Sequence, residues 1–292
     1  MKTLIVFLHG IGDNIMFTGA VREYRKERAN EEIGILVLNK ASAEIWSNNP
    51  NIKHVYVSRN QANPRFWNPP AFWLADYWKI RKEALEIAKK ENYGRIKIIK
   101  IQAIPEIFYR IFGFYGAHKV ERMARELGVQ SRNLSYEIFP SAGEKNEAEK
   151  MLGRLNLKNF VAVHPFSRDP LKNFTESDIN SIINTLKKRK KEVLVVGSSD
   201  DKANFKLKGI KSIFGMNFGS LASILSRAKM FIGTDSAISH LAGTSGIPII
   251  VISPRGAGFK FSHSGKPEWF LPYGRKAVHL LKDKLSKIEK YL

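Results

Sequence analysis

The stretch that decides the fold is Leu4-Ile5-Val6-Phe7-Leu8-His9-Gly10-Ile11-Gly12-Asp13-Asn14. Its first five residues are all apolar, which is typical of a strand buried on both faces of a parallel sheet. The two glycines then allow a tight turn, and residues 14–29 show helical periodicity. Because ligands gather beyond the carboxyl ends of parallel strands, Asp13 is a candidate site residue. The alternative is that Asp13 only caps the helix.

Buried strands and helices alternate along the rest of the chain, which favours parallel sheets joined by right-handed crossovers. The alternation pauses at the loop Pro140-Ser141-Ala142-Gly143 and restarts at the strand Phe160–Val163. A length of 292 residues suits two domains. We therefore predict an α/β protein of two Rossmann-like domains, residues 1–145 and 146–292, with a terminal amphipathic helix over 277–291 that packs back on the first domain.

The composition restricts the classes of partner and site. The formal net charge is +21, which attracts polyanions such as nucleic acid, an anionic membrane or phosphorylated glycans. There is no cysteine, which excludes disulfides, thiolate metal sites and a cysteine nucleophile. The apolar N-terminal run is too short for a secretion signal, and no apolar run is long enough to span a membrane. We therefore expect a cytoplasmic protein.

Three further loops at strand ends carry polar residues. Thr234-Asp235-Ser236-Ala237 precedes a helix that contains His240, and its N–H groups could hold a diphosphate. The loop after His164 carries the cations Arg168 and Lys172, which could neutralise phosphates. Gly197-Ser198-Ser199-Asp200-Asp201 could accept hydrogen bonds from a ribose. The alternatives are helix caps, a core histidine and ordinary surface cations.

Together these residues resemble the heptosyltransferase-like glycosyltransferases of family nine, which build the inner core of lipopolysaccharide. Gly12-Asp13 matches the opening of that family, and His164-Pro165 with Lys172-Asn173-Phe174 matches its next loop. Gly197-Ser198-Ser199-Asp200 is a degenerate match to a Gly-Gly-X-Asp signature. The stretch Asp235–Leu241 matches an Asp-Ser-Gly-X-X-His-Leu signature. The order and spacing of these motifs agree over nearly the whole chain.

The resemblance implies a GT-B fold, in which two Rossmann-like domains face each other across a cleft. It also implies an inverting transfer without a bound metal or other cofactor, from a nucleotide-diphosphate sugar such as ADP-heptose to an anionic glycan or glycolipid. Asp13 would be the general base, and Lys172 would stabilise the leaving group. The acceptor would bind at Gly10, Gly12 and Asn14, and the donor at His164, Arg168, Lys172, Gly197, Asp200, Asp235, Ser236, Ala237 and His240.

Two residues depart from the family pattern, since Ala237 and Phe166 each replace a glycine. These departures leave open a different nucleotide-sugar donor or a relative without catalytic activity. A GT-B epimerase or phosphorylase is a further alternative. A basic protein that stacks single-stranded nucleic acid on its aromatic residues is another, although we find no nucleic-acid motif and expect no such partner.

A basic, aromatic insert interrupts the first half between residues 60 and 78. Trp and Tyr favour membrane interfaces, and Lys and Arg favour anionic headgroups. One hypothesis is that the insert docks on the inner face of the cytoplasmic membrane, and the other is that the rings belong to the core. The aromatic residues are Phe66, Trp67, Phe72, Trp73, Tyr77 and Trp78.

Overall fold

A computed structural model describes residues 1–60, 70–99, 118–130, 133–253, 271–273 and 277–292, with the backbone alone for 70–76 and 283. The chain divides into two compact units, Met1–Leu134 and Ser135–Leu292. The sequence placed this boundary at 145, further along the chain. The helix that spans residue 145 packs on a helix of the second unit, so the whole of it lies there.

The first unit contains a parallel sheet of four strands in the order β3-β2-β1-β4. The strands are β1 (Lys2–Phe7), β2 (Glu32–Val37), β3 (His54–Val57) and β4 (Arg95–Ile98). The helices are α1 (Ile11–Glu27), α2 (Lys40–Trp46), α3 (Pro70–Glu91) and α4 (Lys119–Leu127).

Aromatic packing fixes the helices of the first unit to its sheet. Phe7 at the end of β1 stacks on Phe17 of α1 at a centroid distance of 4.1 Å, and Phe17 meets Trp46 of α2 edge to face at 6.2 Å. All three side chains are fully buried. Burial of each contributes roughly 1.5–3 kcal/mol to folding, so the turn between β1 and α1 rests on a rigid base.

The second unit contains a parallel sheet of six strands in the order β10-β9-β8-β5-β6-β7. The strands are β5 (Phe160–His164), β6 (Glu192–Gly197), β7 (Ser212–Phe214), β8 (Met230–Thr234), β9 (Ile249–Ser253) and β10 (Ala277–Leu281). The helices are α5 (Ala142–Arg154), α6 (Glu176–Lys188), α7 (Phe218–Leu225) and α8 (Ala237–Gly243), with short 3-10 turns at Pro170–Lys172 and Asp200–Asn204.

The terminal segment differs from the predicted helix over 277–291. Its first residues form β10, which pairs in parallel with β9, and a 3-10 segment follows over Lys282–Tyr291. The segment forms a strand because an apolar run beside the open edge of a sheet gains backbone hydrogen bonds to that edge. As part of this strand, Val278 and Leu280 pack in the core of the second unit. Ile288 of the 3-10 segment lies in the same core, so this segment packs within the second unit.

Two predictions concern membranes. Within the described part of the chain, no helix is both long and apolar enough to cross a membrane. The aromatic insert is only partly visible, because residues 61–69 and the side chains of 70–76 lie outside the described residues. Of its aromatic side chains, Tyr77 and Trp78 are described.

Candidate active site

The turn between β1 and α1 positions the carboxylate singled out in the sequence. Gly10 is the N-cap of α1, with extended backbone angles and no capping side chain, and Asp13 is the third residue of the helix. The alternative that Asp13 is the N-cap is therefore wrong by three positions, because the helix already begins at Ile11. Gly10 and Gly12 lie on either side of Ile11, immediately before Asp13 in the chain.

Asp13 is held by a lysine that the sequence analysis did not identify. Lys119 Nζ donates a hydrogen bond to Asp13 Oδ1 over 2.6 Å, and both side chains are largely buried. Lys119 is the first residue of α4, which packs against α1. The strand end thus carries a carboxylate whose orientation is fixed by a cation from a distant part of the chain.

Asn14 braces the same turn from inside. Its amide nitrogen donates to the carbonyls of His9 and Gly10 at 3.0 and 2.9 Å, and its amide oxygen accepts from Trp46 Nε1 at 2.8 Å. The side chain is fully buried. The structure therefore gives Asn14 a positioning role, in contrast to the direct acceptor contact expected from the sequence.

His9 lies beside Asp13 and is electrically neutral. Its Nε2 donates to the Ile99 carbonyl at 3.2 Å. Burial lowers the pKa of His9 and outweighs the opposing effect of the Asp13 carboxylate, while Lys119 lowers that pKa further. The local charge at this strand end therefore comes from Asp13 and Lys119.

In the second unit, Lys172 and Asp235 are brought together from loops at the ends of β5 and β8. Lys172 Nζ donates to Asp235 Oδ2 over 2.8 Å, and both side chains are largely buried. The Lys172 carbonyl also accepts a hydrogen bond from Thr234 Oγ1 at 2.9 Å. His240 Nε2 lies 3.9 Å from Asp235 Oδ1. These residues form one polar cluster at the strand ends.

The start of α8 borders this cluster. Ser236 is the N-cap, and Ala237 is the first helical residue. Ser239 Oγ accepts the Ser236 N–H at 3.3 Å and donates to the Ser236 carbonyl at 2.7 Å. The Ser236 hydroxyl oxygen itself is buried, and no partner for it is found among the described residues.

His164 lies beneath the loop that carries Lys172. Its Nδ1 donates to the Val196 carbonyl at 2.9 Å, so it ties the end of β5 to β6. Burial lowers the pKa of His164, and this effect exceeds the opposing hydrogen bonds and the charge of Asp201. His164 is therefore a neutral core side chain that shapes the loop.

Phe166 explains one departure from the family pattern. The side chain is buried and meets His164, Phe205 and Phe214 at ring distances of 6.0, 6.4 and 6.2 Å. A glycine at this position would remove these three ring contacts. Phe166 is therefore part of the core beneath the loop.

The remaining predicted donor residues are Gly197, Asp200 and Arg168. Gly197 is buried, and a Cβ atom there would lie 2.9 Å from the Phe214 ring, so a larger residue would displace that ring. Asp200 is exposed, while Asp201 closes the turn by accepting from the Ser198 N–H at 2.7 Å. Arg168 is also exposed. Among the residues for which coordinates are described, no group of three or more His, Asp or Glu is arranged to hold a metal ion.

Several solved structures have the same fold. They include the glycosyl transferase family 9 from Veillonella parvula, with a TM-score of 0.73 and 16% identity over 99% of this chain and 88% of that one. The E. coli ADP-heptose lps heptosyltransferase II gives 0.68 and 14% over 99% and 95%. The E. coli heptosyltransferase WaaC with ADP-2-deoxy-2-fluoro heptose gives 0.63 and 16% over the whole of both chains. These matches confirm the GT-B fold class expected from the resemblance.

Sequence comparison supplies the family. No curated protein sequence matches the chain significantly. Residues 114–282 match the family described as Glycosyltransferase family 9 (heptosyltransferase), and this segment is more than half of the chain and includes the Lys172–Asp235 cluster. The chain therefore belongs to glycosyltransferase family 9, the heptosyltransferase family, and is a glycosyltransferase.

Proposed function

We propose that this enzyme transfers a sugar, a heptose from ADP-heptose, onto the core of lipopolysaccharide or a related anionic glycan, with inversion at the anomeric carbon. The observation that carries the proposal is the cluster of Lys172, Asp235 and His240 at the ends of β5 and β8. A buried cation at the carboxyl edge of a parallel sheet suits a nucleotide diphosphate. The structure of E. coli WaaC was solved with an ADP-sugar, which supports the choice of donor.

In this proposal the second unit binds the donor. Lys172 stabilises the negative charge that develops on the diphosphate as the bond between the anomeric carbon and the phosphate oxygen breaks. Asp235 holds the Lys172 ammonium in place through their ion pair. The Ser236 hydroxyl and the exposed Arg168 add donors, while His164 and Gly197 shape the floor of the site. The nearby Asp200, Ala237 and His240 complete the proposed donor-binding set.

The first unit supplies the base. Asp13 takes the proton of the acceptor hydroxyl while the hydroxyl oxygen forms its bond to the anomeric carbon, and the proton ends on the carboxylate. Gly10 and Gly12 leave room for the acceptor beside Asp13. Lys119 fixes the orientation of the carboxylate. The formal net charge of +21 favours an acceptor that carries phosphate or carboxylate groups.

We expect the reaction to proceed without a bound metal or other cofactor, because Lys172 and the other proposed donors can stabilise the leaving group themselves. The test is to assay the purified enzyme in excess EDTA. Full activity supports the expectation. A loss of activity that Mg²⁺ or another divalent cation restores contradicts it.

The acceptor places the proposed reaction at the inner face of the cytoplasmic membrane. Lipopolysaccharide-type acceptors are lipid-linked, so a cytoplasmic enzyme has to reach them at that surface.

A donor other than ADP-heptose is the second candidate, and Ala237 is the observation that favours it. An added methyl group at the first residue of α8 narrows the position that the family pattern leaves to glycine.

Thermal-shift measurements against ADP-, UDP-, GDP- and dTDP-sugars test the donor. We expect an ADP-sugar to stabilise the second unit most, and ADP to stabilise it less. A selective response to another nucleotide would overturn the ADP assignment and leave the transferase proposal in place.

The Asp13→Asn variant tests the base, since loss of a general base lowers kcat by about 100-fold or more with donor binding unchanged. Unchanged turnover in this variant would remove Asp13 from the mechanism.

A further inference from the structure

Helix α3 presents an exposed stripe of apolar and basic residues, which we call the α3 outer face. Trp78, Lys82, Leu85 and Lys89 are spaced by four, three and four residues, so they lie along one side of the helix. Trp78 is 58% exposed and Leu85 is 51% exposed, although both are large apolar side chains. The stripe therefore carries apolar surface that the fold leaves in contact with solvent.

The opposite side of α3 is anchored to the first unit. Ala84 and Ala88 are buried in the core, where Ile80 and Ile87 pack beside them. Glu83 is also buried and accepts hydrogen bonds from Ser58 Oγ, the Arg59 N–H and Asn60 Nδ2 at 2.7, 2.8 and 2.9 Å. Because this side is fixed by core packing and by the loop after β3, the outer face is presented rigidly.

Positive charge surrounds the exposed apolar residues. Arg81 lies over the Trp78 ring at 5.2 Å, and Tyr77 meets Trp78 edge to face at 6.0 Å. The acidic Glu86 on this side is paired with Arg59 over 2.5 Å. The exposed basic residues of the helix are Lys79, Arg81, Lys82, Lys89 and Lys90.

We propose that the α3 outer face docks on the surface of a bilayer that contains anionic lipids. Trp and Leu can enter the interface between headgroups and acyl chains while the lysines and arginine contact the headgroups, as in helices that lie in the plane of a membrane. This proposal rests on the proposed function in one respect, which is that the acceptor is linked to a membrane. Vesicle binding is measured without any sugar, so the two proposals can fail separately.

The apolar component favours lipid over nucleic acid as the partner of this face. Basic residues and an exposed tryptophan would also suit a single strand of RNA or DNA. An exposed leucine between two lysines adds nothing to phosphate contacts or to base stacking, but it adds buried apolar area in a bilayer. The charge and apolar surface together therefore fit an anionic bilayer.

The test is co-sedimentation of the full chain with vesicles of phosphatidylcholine, alone or with about 30% phosphatidylglycerol, at low salt. We expect the protein to bind the vesicles that contain phosphatidylglycerol and not the vesicles of phosphatidylcholine alone. Two double variants are compared with the wild type, Trp78→Ser with Leu85→Ser and Lys82→Glu with Lys89→Glu. The charge variant should bind at least about 30-fold more weakly, since each of the two lost lysines contributes about 1 kcal/mol near an anionic surface and the two added glutamates are repelled by it.

The matched control variants change exposed residues of the second unit, Tyr291→Ser for the apolar pair and Lys187→Glu with Lys188→Glu for the basic pair. They should bind like the wild type, and circular dichroism should show that all variants are folded. Absence of binding to anionic vesicles, or equal loss in the control and test variants, would overturn the proposal. Gel-shift binding of RNA that only the α3 variants lose, without vesicle binding, would overturn it in favour of nucleic acid.

Discussion

Lys119 and Asp13 form an ion pair of 2.6 Å between the first turns of α4 and α1. The pair joins residues from distant parts of the chain at the end of β1. Because the Lys119 ammonium occupies a fixed position on Oδ1, the carboxylate cannot rotate freely toward solvent. A general base gains from such restraint, since its reach to the acceptor hydroxyl depends on geometry.

Replacing Lys119 with Met should lower kcat by about 10- to 100-fold, because the carboxylate then loses its orientation. Lys119→Arg should retain most of the activity, since Arg can keep the ion pair. The acidic limb of the pH–rate profile should move to higher pH in Lys119→Met, because a carboxylate without its cation protonates more readily. Steady-state kinetics from pH 5 to pH 9 measure both effects.

The melting temperature and the pH–rate profile of Lys119→Met together separate a positioning role of Lys119 from a purely structural one. If Lys119 only supports folding, Lys119→Met will lower the melting temperature while the pH–rate profile of the folded enzyme stays in place. An unmoved profile in Lys119→Met would therefore contradict a positioning role.

The sequence was sufficient for the α/β fold class of two parallel-sheet domains. Continuous apolar strands followed by polar turns predicted parallel sheets, and the separate motifs around Lys172 and Asp235 were recognisable by their resemblance to the family, while their roles at the donor site stay a prediction. Lys119 was not predictable, because one lysine in a chain with 48 Lys and Arg carries no local signal and its partner is remote in sequence. β10 was missed because a short apolar run before a Lys-rich segment also fits an amphipathic helix.

Asn14 shows a different limit. A polar residue at a strand end is typical of a ligand contact, but its environment decides whether the amide faces solvent or backbone. Here the indole N–H of Trp46 and two carbonyl groups satisfy the amide. Trp46 follows in a separate helix, so the neighbouring residues of Asn14 could not reveal this burial.

The Lys172→Ala substitution should weaken ADP binding by roughly 10- to 100-fold, as expected for loss of a charged hydrogen bond to phosphate. Asp235→Asn should weaken it less, because Lys172 stays present but loses the carboxylate that holds it. Isothermal titration calorimetry measures both. Lys187→Ala, on the exposed side of α6, is the control and should bind ADP like the wild type. Equal affinities for Lys172→Ala and Lys187→Ala would remove Lys172 from the donor site.

The Gly233→Ala substitution should destabilise the second unit by about 1–3 kcal/mol. A Cβ atom at residue 233 would lie 2.7 Å from the backbone oxygen of His164, its partner across β5 and β8. Backbone in the middle of a sheet cannot move aside cheaply. Gly153→Ala is the matched control, because nothing lies within 4 Å of its Cβ position in α5 and alanine is the better helix former. Calorimetric melting should show opposite shifts for the two variants.

Lowering the pH should destabilise the second unit through His164. Burial lowers the pKa of His164 in the folded chain, while the unfolded chain has the ordinary value of 6.5. As the pH falls below that value, the unfolded chain binds a proton that the folded chain does not. The unfolding free energy therefore has its full value above about pH 7 and decreases as the pH falls toward the pKa of the folded state.

The His164→Asn variant isolates this contribution, because an asparagine can keep the hydrogen bond to the Val196 carbonyl but does not titrate. Its melting temperature should fall less steeply between pH 7 and pH 5 than that of the wild type, and the two curves should run parallel from about pH 7.5 to pH 8.5. The transition shifted by Gly233→Ala identifies the second unit in these scans. Parallel curves at acid pH as well would show that His164 is protonated in the folded chain, and its role as a neutral tie between β5 and β6 would be wrong.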